Sequence, residues 1–84
     1  MDQPIKFEKM EEHLSTYFEN GYTILSDIIS EQGDLRTVIL RGPYDEIKYT
    51  VMLLRSFKMG DKEDFSSTII TNQDVEILSA YFNN

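Results

Sequence analysis

The sequence contains no cysteine, which excludes a disulfide framework, thiol chemistry and any cysteine-ligated zinc or iron–sulfur site. A secreted domain of 84 residues usually needs such cross-links because its hydrophobic core is small. The N-terminal residues also lack the apolar stretch of a signal peptide, and no apolar run is long enough to cross a membrane. We therefore expect a single domain over residues 1–84, located in the cytoplasm, without membrane contact.

Groups that catalysis or cofactor binding needs are scarce. His13 is the only histidine, and it lies in a predicted helix without a partner that would orient it as a base. No serine lies in a nucleophile elbow, and the glycines are isolated at turns, so no phosphate-binding loop is present. The acidic run at 60–64 lacks calcium-loop spacing. The sequence predicts no catalytic residue, metal or cofactor, and places the serines, including Ser56, in solvent or turns.

Negative charge is in excess. Fifteen acidic residues against eight basic ones give a net charge of -7. Such a surface repels phosphate backbones, so direct nucleic-acid binding is disfavoured and a larger protein with a basic surface is the favoured partner. The alternative interpretation is that the charge only keeps a small protein soluble.

The first predicted element is a helix. Its apolar residues recur at spacings of three and four, as one stripe of a helix requires: Phe7, Met10, Leu14, Tyr17 and Phe18. Pro4 suits the first turn, and Asn20-Gly21 suits a left-handed C-terminal stop. Glu8, Glu12 and Glu19, with Glu11 beside them, then form a negative stripe about 16 Å long on the opposite side.

A β-hairpin is predicted next, from the β-branched segment 22–30 through the turn 31–34 to a second strand at 35–42. Gly33 supplies the positive φ that such a turn needs. A two-residue turn at Gln32-Gly33 places Asp27 opposite Val38, which puts a carboxylate on an apolar face unless a bulge shifts the register. Helical spacing of Ile24, Leu25, Ile28 and Ile29 leaves a second helix as the alternative for 22–30.

Residues 44–59 alternate as a strand, although acidic residues at the start and basic ones at the end also fit a helix. The apolar face of that strand would carry Ile47, Tyr49, Val51, Leu53 and Phe57. An exposed loop at 60–64, a short fourth strand from Phe65, and a closing helix capped by Thr71 and Asp74 follow. The closing helix would carry Val75, Leu78, Tyr81 and Phe82 on one side. The predicted fold is therefore α+β, in the order α-β-β-β-β-α, with an antiparallel sheet and both helices on one face.

These features indicate a small, non-enzymatic regulator or inhibitor that binds another protein. The profile is similar in type to inhibitors encoded by phages and mobile elements. One hypothesis is that spaced carboxylates mimic nucleic-acid phosphates and occupy a basic groove of a DNA- or RNA-handling protein. The candidate contact residues are Glu8, Glu11, Glu12, Glu19, Tyr44, Asp45, Glu46, Asp61, Glu63 and Asp64.

The alternative hypothesis is a structural subunit that assembles through its sheet or helices, for example at an exposed edge or a bare face of the sheet. The expected oligomeric state is a monomer or a weak homodimer. Its candidate contacts are Tyr44, Tyr49, Met52 and Met59, of which Tyr49 and Met52 are better explained as core residues.

Overall fold

In the computed structural model, which describes residues 6–44 and 48–74, a helix precedes a four-stranded sheet. In chain order the elements are α1 (Glu8–Glu19), β1 (Thr23–Ile29), β2 (Leu35–Arg41), β3 (Lys48–Met59) and β4 (Lys62–Asp74). The strands form an antiparallel meander in the order β1-β2-β3-β4. The α+β class, the first helix and the four strands are confirmed. The predicted closing helix beyond Asp74 lies outside the described residues, as do Pro4, Asp45 and Glu46.

The apolar stripe of α1 packs on the sheet as its spacing predicts. Phe7, Met10 and Leu14 are buried, and Tyr17 packs against them. Phe18, which the spacing placed on the same stripe, is 45% exposed. The helix ends where it was expected to, because Gly21 adopts a φ of 89°, which a residue with a side chain rarely adopts.

The β1–β2 hairpin has the register that a turn at Gln32-Gly33 implies. Asp27 lies opposite Val38, and Gly33 has a φ of 78°. A bulge between Ile24 and Ser26 shifts the register only beyond that point. The alternative of a helix over 22–30 was therefore wrong, and the carboxylate does face the side of the sheet that carries α1.

The main core lies between α1 and one face of the sheet. On β3 this is not the face that alternation predicted but the other one. The buried cluster that receives the helix is formed by Val38, Leu40, Met52 and Leu54. The face predicted from Val51, Leu53 and Phe57 lies on the other side of the sheet, although Tyr49 and Val51 are buried there. Because β3 is apolar at both even and odd positions, alternation does not determine which face packs against the helix.

The fourth strand is longer than the sequence indicated. Lys48–Met59 form β3, which confirms the strand interpretation for this part of 44–59, whereas Ile47 of the predicted apolar face lies outside the described residues. Gly60-Asp61 form the turn to β4, with a φ at Gly60 of 63°. The expected loop over 60–64 was therefore wrong beyond Asp61. The expected helix cap at Thr71 and Asp74 was also wrong, because those residues pair with Val51 and Lys48 of β3.

Candidate interaction surface

Part of the predicted acidic stripe is exposed on α1. Glu8, Glu12 and Glu19 are exposed, and their spacing places them within about 40° around the helix axis. Asp61 and Asp64 are also exposed, in and after the β3–β4 turn. These five carboxylates are accessible to a partner.

Glu11 is also exposed, but its carboxylate belongs to an ion-pair network centred on Arg36. The Arg36 guanidinium donates to the Glu11 carboxylate at 2.5 Å and, through two nitrogens, to both carboxylate oxygens of Asp27 at 3.0 and 2.7 Å. The hydrogen bonds from Arg36, with its positive charge, hold the pKa of Asp27 below its ordinary value even though burial opposes the shift. This network explains how the sheet tolerates Asp27 opposite Val38.

Glu63 is a buried helix cap and is not available to a partner, contrary to the prediction. Only 5% exposed, it accepts backbone hydrogen bonds from Lys9 at 3.0 Å and Met10 at 2.9 Å. These are the second and third residues of α1, whose N–H groups have no partner within the helix. Phe7, at the N-cap position, supplies no side-chain acceptor. Glu63 therefore fixes the start of α1 from a strand more than fifty residues away.

Two polar residues that the sequence analysis considered for catalysis serve structural contacts. Ser56 is fully buried, and its hydroxyl donates to Glu63 at 2.5 Å, so the expectation that it faces solvent was wrong. His13 is exposed, as expected, and stacks on Phe65 with ring centroids 3.9 Å apart.

The hydrogen bonds to Glu63 make stability depend on pH. Burial alone would raise the pKa of Glu63, but the hydrogen bonds from Ser56, Lys9 and Met10 outweigh it and lower that pKa below 4.5. A lowered folded-state pKa means that the stabilisation is present above 4.5 and is lost as the pH falls through the folded value.

We therefore expect the stability advantage of the wild type over Glu63→Gln to shrink as the pH falls from about 7 to about 3. Urea unfolding midpoints of the two proteins across this range measure it. A constant difference between the two proteins would contradict this role of the carboxylate. Asp27, whose pKa is also lowered, contributes the same trend to both proteins.

Of the residues proposed for sheet-mediated contact, two are exposed. Tyr44 is 55% exposed; its hydroxyl accepts from Arg41 at 3.0 Å, and its ring meets Tyr49 edge-to-face. Met59 is exposed at the end of β3. Tyr49 and Met52 are buried, which confirms their interpretation as core residues.

The first strand carries an apolar surface that the list of candidate contacts left out. β1 lies at the edge of the sheet, with β2 as its neighbour among the described strands. Its four aliphatic side chains are exposed: Ile24 by 44%, Leu25 by 54%, Ile28 by 63% and Ile29 by 53%. Ile29 pairs with Arg36 on the side of α1, whereas Ile28 lies on the opposite side. We call these four side chains and the outer backbone of β1 the β1 edge.

An available sequence signal could have identified this edge. Aliphatic residues on both sides of a strand usually indicate a central, fully covered strand. The first strand of a meander, however, lies at the edge of its sheet. Apolar residues on both sides of such a strand therefore predict an uncovered surface.

An open depression lies beside the β1 edge. It is lined by Phe7, Glu8, Glu11, Ile29 and Arg36, among others. Residues 6–44 and 48–74 contain no group of three or more His, Asp or Glu side chains placed to hold a metal ion. In the same ranges no helix has the length and hydropathy needed to cross a membrane. Comparison with protein-family models, curated proteins and solved structures finds no match to this chain.

Proposed function

We propose that this chain is a non-enzymatic protein-interaction domain that binds its partner through the β1 edge. The observation that supports this proposal is the exposure of four aliphatic side chains on an edge strand. Scattered exposed apolar residues are ordinary, but several exposed aliphatic side chains on a strand whose outer backbone has no partner strand among the described residues are typical of a binding site.

The chemistry of the proposed contact is strand addition. A partner strand would form main-chain hydrogen bonds with the outer backbone of β1, and these bonds supply affinity for any extended segment. Ile28 on one side and Ile29 on the other would contact alternate side chains of that segment, which supplies selectivity for apolar residues. Such binding suits either a regulator that occupies a larger protein or a subunit of an assembly.

Site-specific photocrosslinking in the native host tests this proposal. A benzophenone amino acid at position 28 samples the β1 edge, one at position 15 samples the acidic side of α1, and one at position 61 is the control. We expect a protein adduct at position 28 that disappears when Ile29→Lys is introduced, and none at position 61. The absence of an adduct at position 28 would contradict binding through this edge.

A second candidate is the acidic regulator that docks on a basic surface. The observation in its favour is the narrow stripe of exposed carboxylates on α1, formed by Glu8, Glu12 and Glu19. The acidic surface as a whole is smaller than the sequence suggested, because Arg36 pairs with Glu11 on α1 and Glu63 on β4 is buried. An adduct at position 15 in the crosslinking experiment would favour this candidate.

For this candidate, changing Glu8, Glu12 and Glu19 together to glutamine is expected to weaken binding to the protein crosslinked at position 15. Loss of three charge contacts predicts a decrease of at least about tenfold at low salt. The matched control removes the same charge elsewhere, by Glu31→Gln, Asp61→Asn and Asp64→Asn, and should change affinity much less. If binding is unchanged from about 50 to about 500 mM salt, the electrostatic mechanism is wrong.

A further inference from the structure

We infer that the partner of the β1 edge is a second copy of this chain, paired strand to strand about a two-fold axis at Ile28. This inference rests on the proposed function and specifies its partner. The two β1 strands would run antiparallel and join two four-stranded sheets into one continuous sheet.

The backbone of β1 determines which groups are available for such pairing. The Ser30 N–H donates to the Leu35 carbonyl at 2.8 Å, so Ser30 directs its backbone towards β2. Backbone direction alternates along an antiparallel strand, so Ile28 also faces β2, whereas Asp27 and Ile29 direct their N–H and C=O groups outward. The hydrogen bonds between β2 and β3 are consistent with this assignment. The Lys58 N–H donates to the Asp34 carbonyl, so the even residues of β2 direct their backbone groups towards β3 and the odd ones towards β1.

The outward groups select one register. With the axis at Ile28, Asp27 of each copy lies opposite Ile29 of the other, and each pair exchanges N–H···O=C bonds in both directions. An axis at Asp27 would place two carboxylates side by side, which is destabilising. An axis at Ile29 would pair Asp27 with Glu31 of the turn. Only the axis at Ile28 uses both outward residues of the regular part of the strand, after the bulge.

At the two-fold axis this register sets an apolar side chain against an apolar side chain. The two Ile28 residues are neighbours in a non-hydrogen-bonded pair, the arrangement that brings side chains closest, at a Cα separation of about 4.5 Å. On the other side of the sheet each Ile29 meets Asp27 of the second copy, whose carboxylate is already bound by Arg36. Asp27 is the only charged residue of β1, which has no lysine or proline to prevent edge pairing.

Charge opposes this dimer. Each copy carries a net charge of -7, and most exposed carboxylates lie on α1 and in the turns. Asp27 is exposed at the seam itself, where its ion pair with Arg36 offsets its charge. Added salt screens that repulsion and should strengthen self-association, whereas it weakens docking on a basic surface.

The absence of cysteine makes the register directly testable. In Ile28→Cys the two thiols would lie side by side, within the range for a disulfide. In the control Ser26→Cys, on the same side of the strand, the two residues would be separated by about 13 Å. We expect mild oxidation to link Ile28→Cys into a covalent dimer and to leave Ser26→Cys monomeric. Equal linkage of both variants would overturn the inferred register.

Sedimentation equilibrium tests the association itself. We expect the wild type, of 9.8 kDa, to form dimers as concentration rises, and Ile28→Lys to raise the dissociation constant more than tenfold. Ile69→Lys, which changes an exposed isoleucine on β4, is the control and should leave it unchanged. A wild type that stays monomeric to millimolar concentration overturns this inference. If position 28 nevertheless crosslinks to a different protein, the proposed function stands and only self-pairing is wrong.

Discussion

Replacing Glu63 with alanine is expected to lower the free energy of unfolding by about 3 kcal/mol, a large part of the stability of a small domain. The change removes the acceptor of three hydrogen bonds, from the N–H groups of Lys9 and Met10 and from the hydroxyl of Ser56. These donors would lose their protein acceptor at the start of α1, where the N–H groups have no partner in the helix. Urea unfolding measures the loss.

Two variants separate the cap from a general effect of charge. Asp64→Ala removes the neighbouring, exposed carboxylate and is expected to change stability by no more than about 0.5 kcal/mol. Glu63→Gln keeps one acceptor oxygen, so its free energy of unfolding should lie between those of Glu63→Ala and Asp64→Ala. If Glu63→Ala were no less stable than Asp64→Ala, Glu63 would not be the cap of α1.

Replacing Leu54 with alanine is expected to lower the free energy of unfolding by about 3 kcal/mol. Leu54 is fully buried, on the side of β3 that faces α1, so truncation leaves a cavity in the main core. Leu53, the preceding residue, points to the other side and is half-buried, so Leu53→Ala is the matched control. We expect the control to cost about 1 kcal/mol in the same unfolding measurement.

The comparison of these two leucines tests which face of the sheet the helix covers. Both substitutions remove the same atoms from adjacent positions of one strand. A larger loss for Leu53→Ala would mean that the main core lies on the face predicted from Val51, Leu53 and Phe57. Equal losses would contradict the assignment of the main core to the face of Leu54.

Sequence patterns predicted the elements that are determined by residues close together in the chain. The spacing of Met10 and Leu14 predicted the helix, and Gly33 predicted the hairpin turn, because each depends on residues near in sequence. The register of the hairpin was left open between a two-residue turn and a bulge. The structure has Asp27 opposite Val38, an arrangement that depends on Arg36, a cross-strand neighbour that the sequence reasoning did not consider.

Long-range contacts account for what the sequence did not predict. The segment from Thr71 to Asp74 has the local pattern of a helix cap, but pairing with β3 satisfies its backbone instead. Glu63 reads as part of a solvated acidic run, and only the helix start that it caps gives it a structural role. The sequence placed Pro4 in the first turn, and only the structure shows that Phe7 stands at the N-cap position without a side-chain acceptor.

Residue-level amide exchange shows whether the β1 edge is a contact surface. We expect the outward amides of Asp27 and Ile29 to exchange rapidly in dilute protein and slowly in concentrated protein. The Ile28 amide, which faces β2, should be protected under both conditions. Rapid exchange of Asp27 and Ile29 in concentrated protein would contradict pairing of this edge with a second copy, and slow exchange in dilute protein would mean that the edge is already covered.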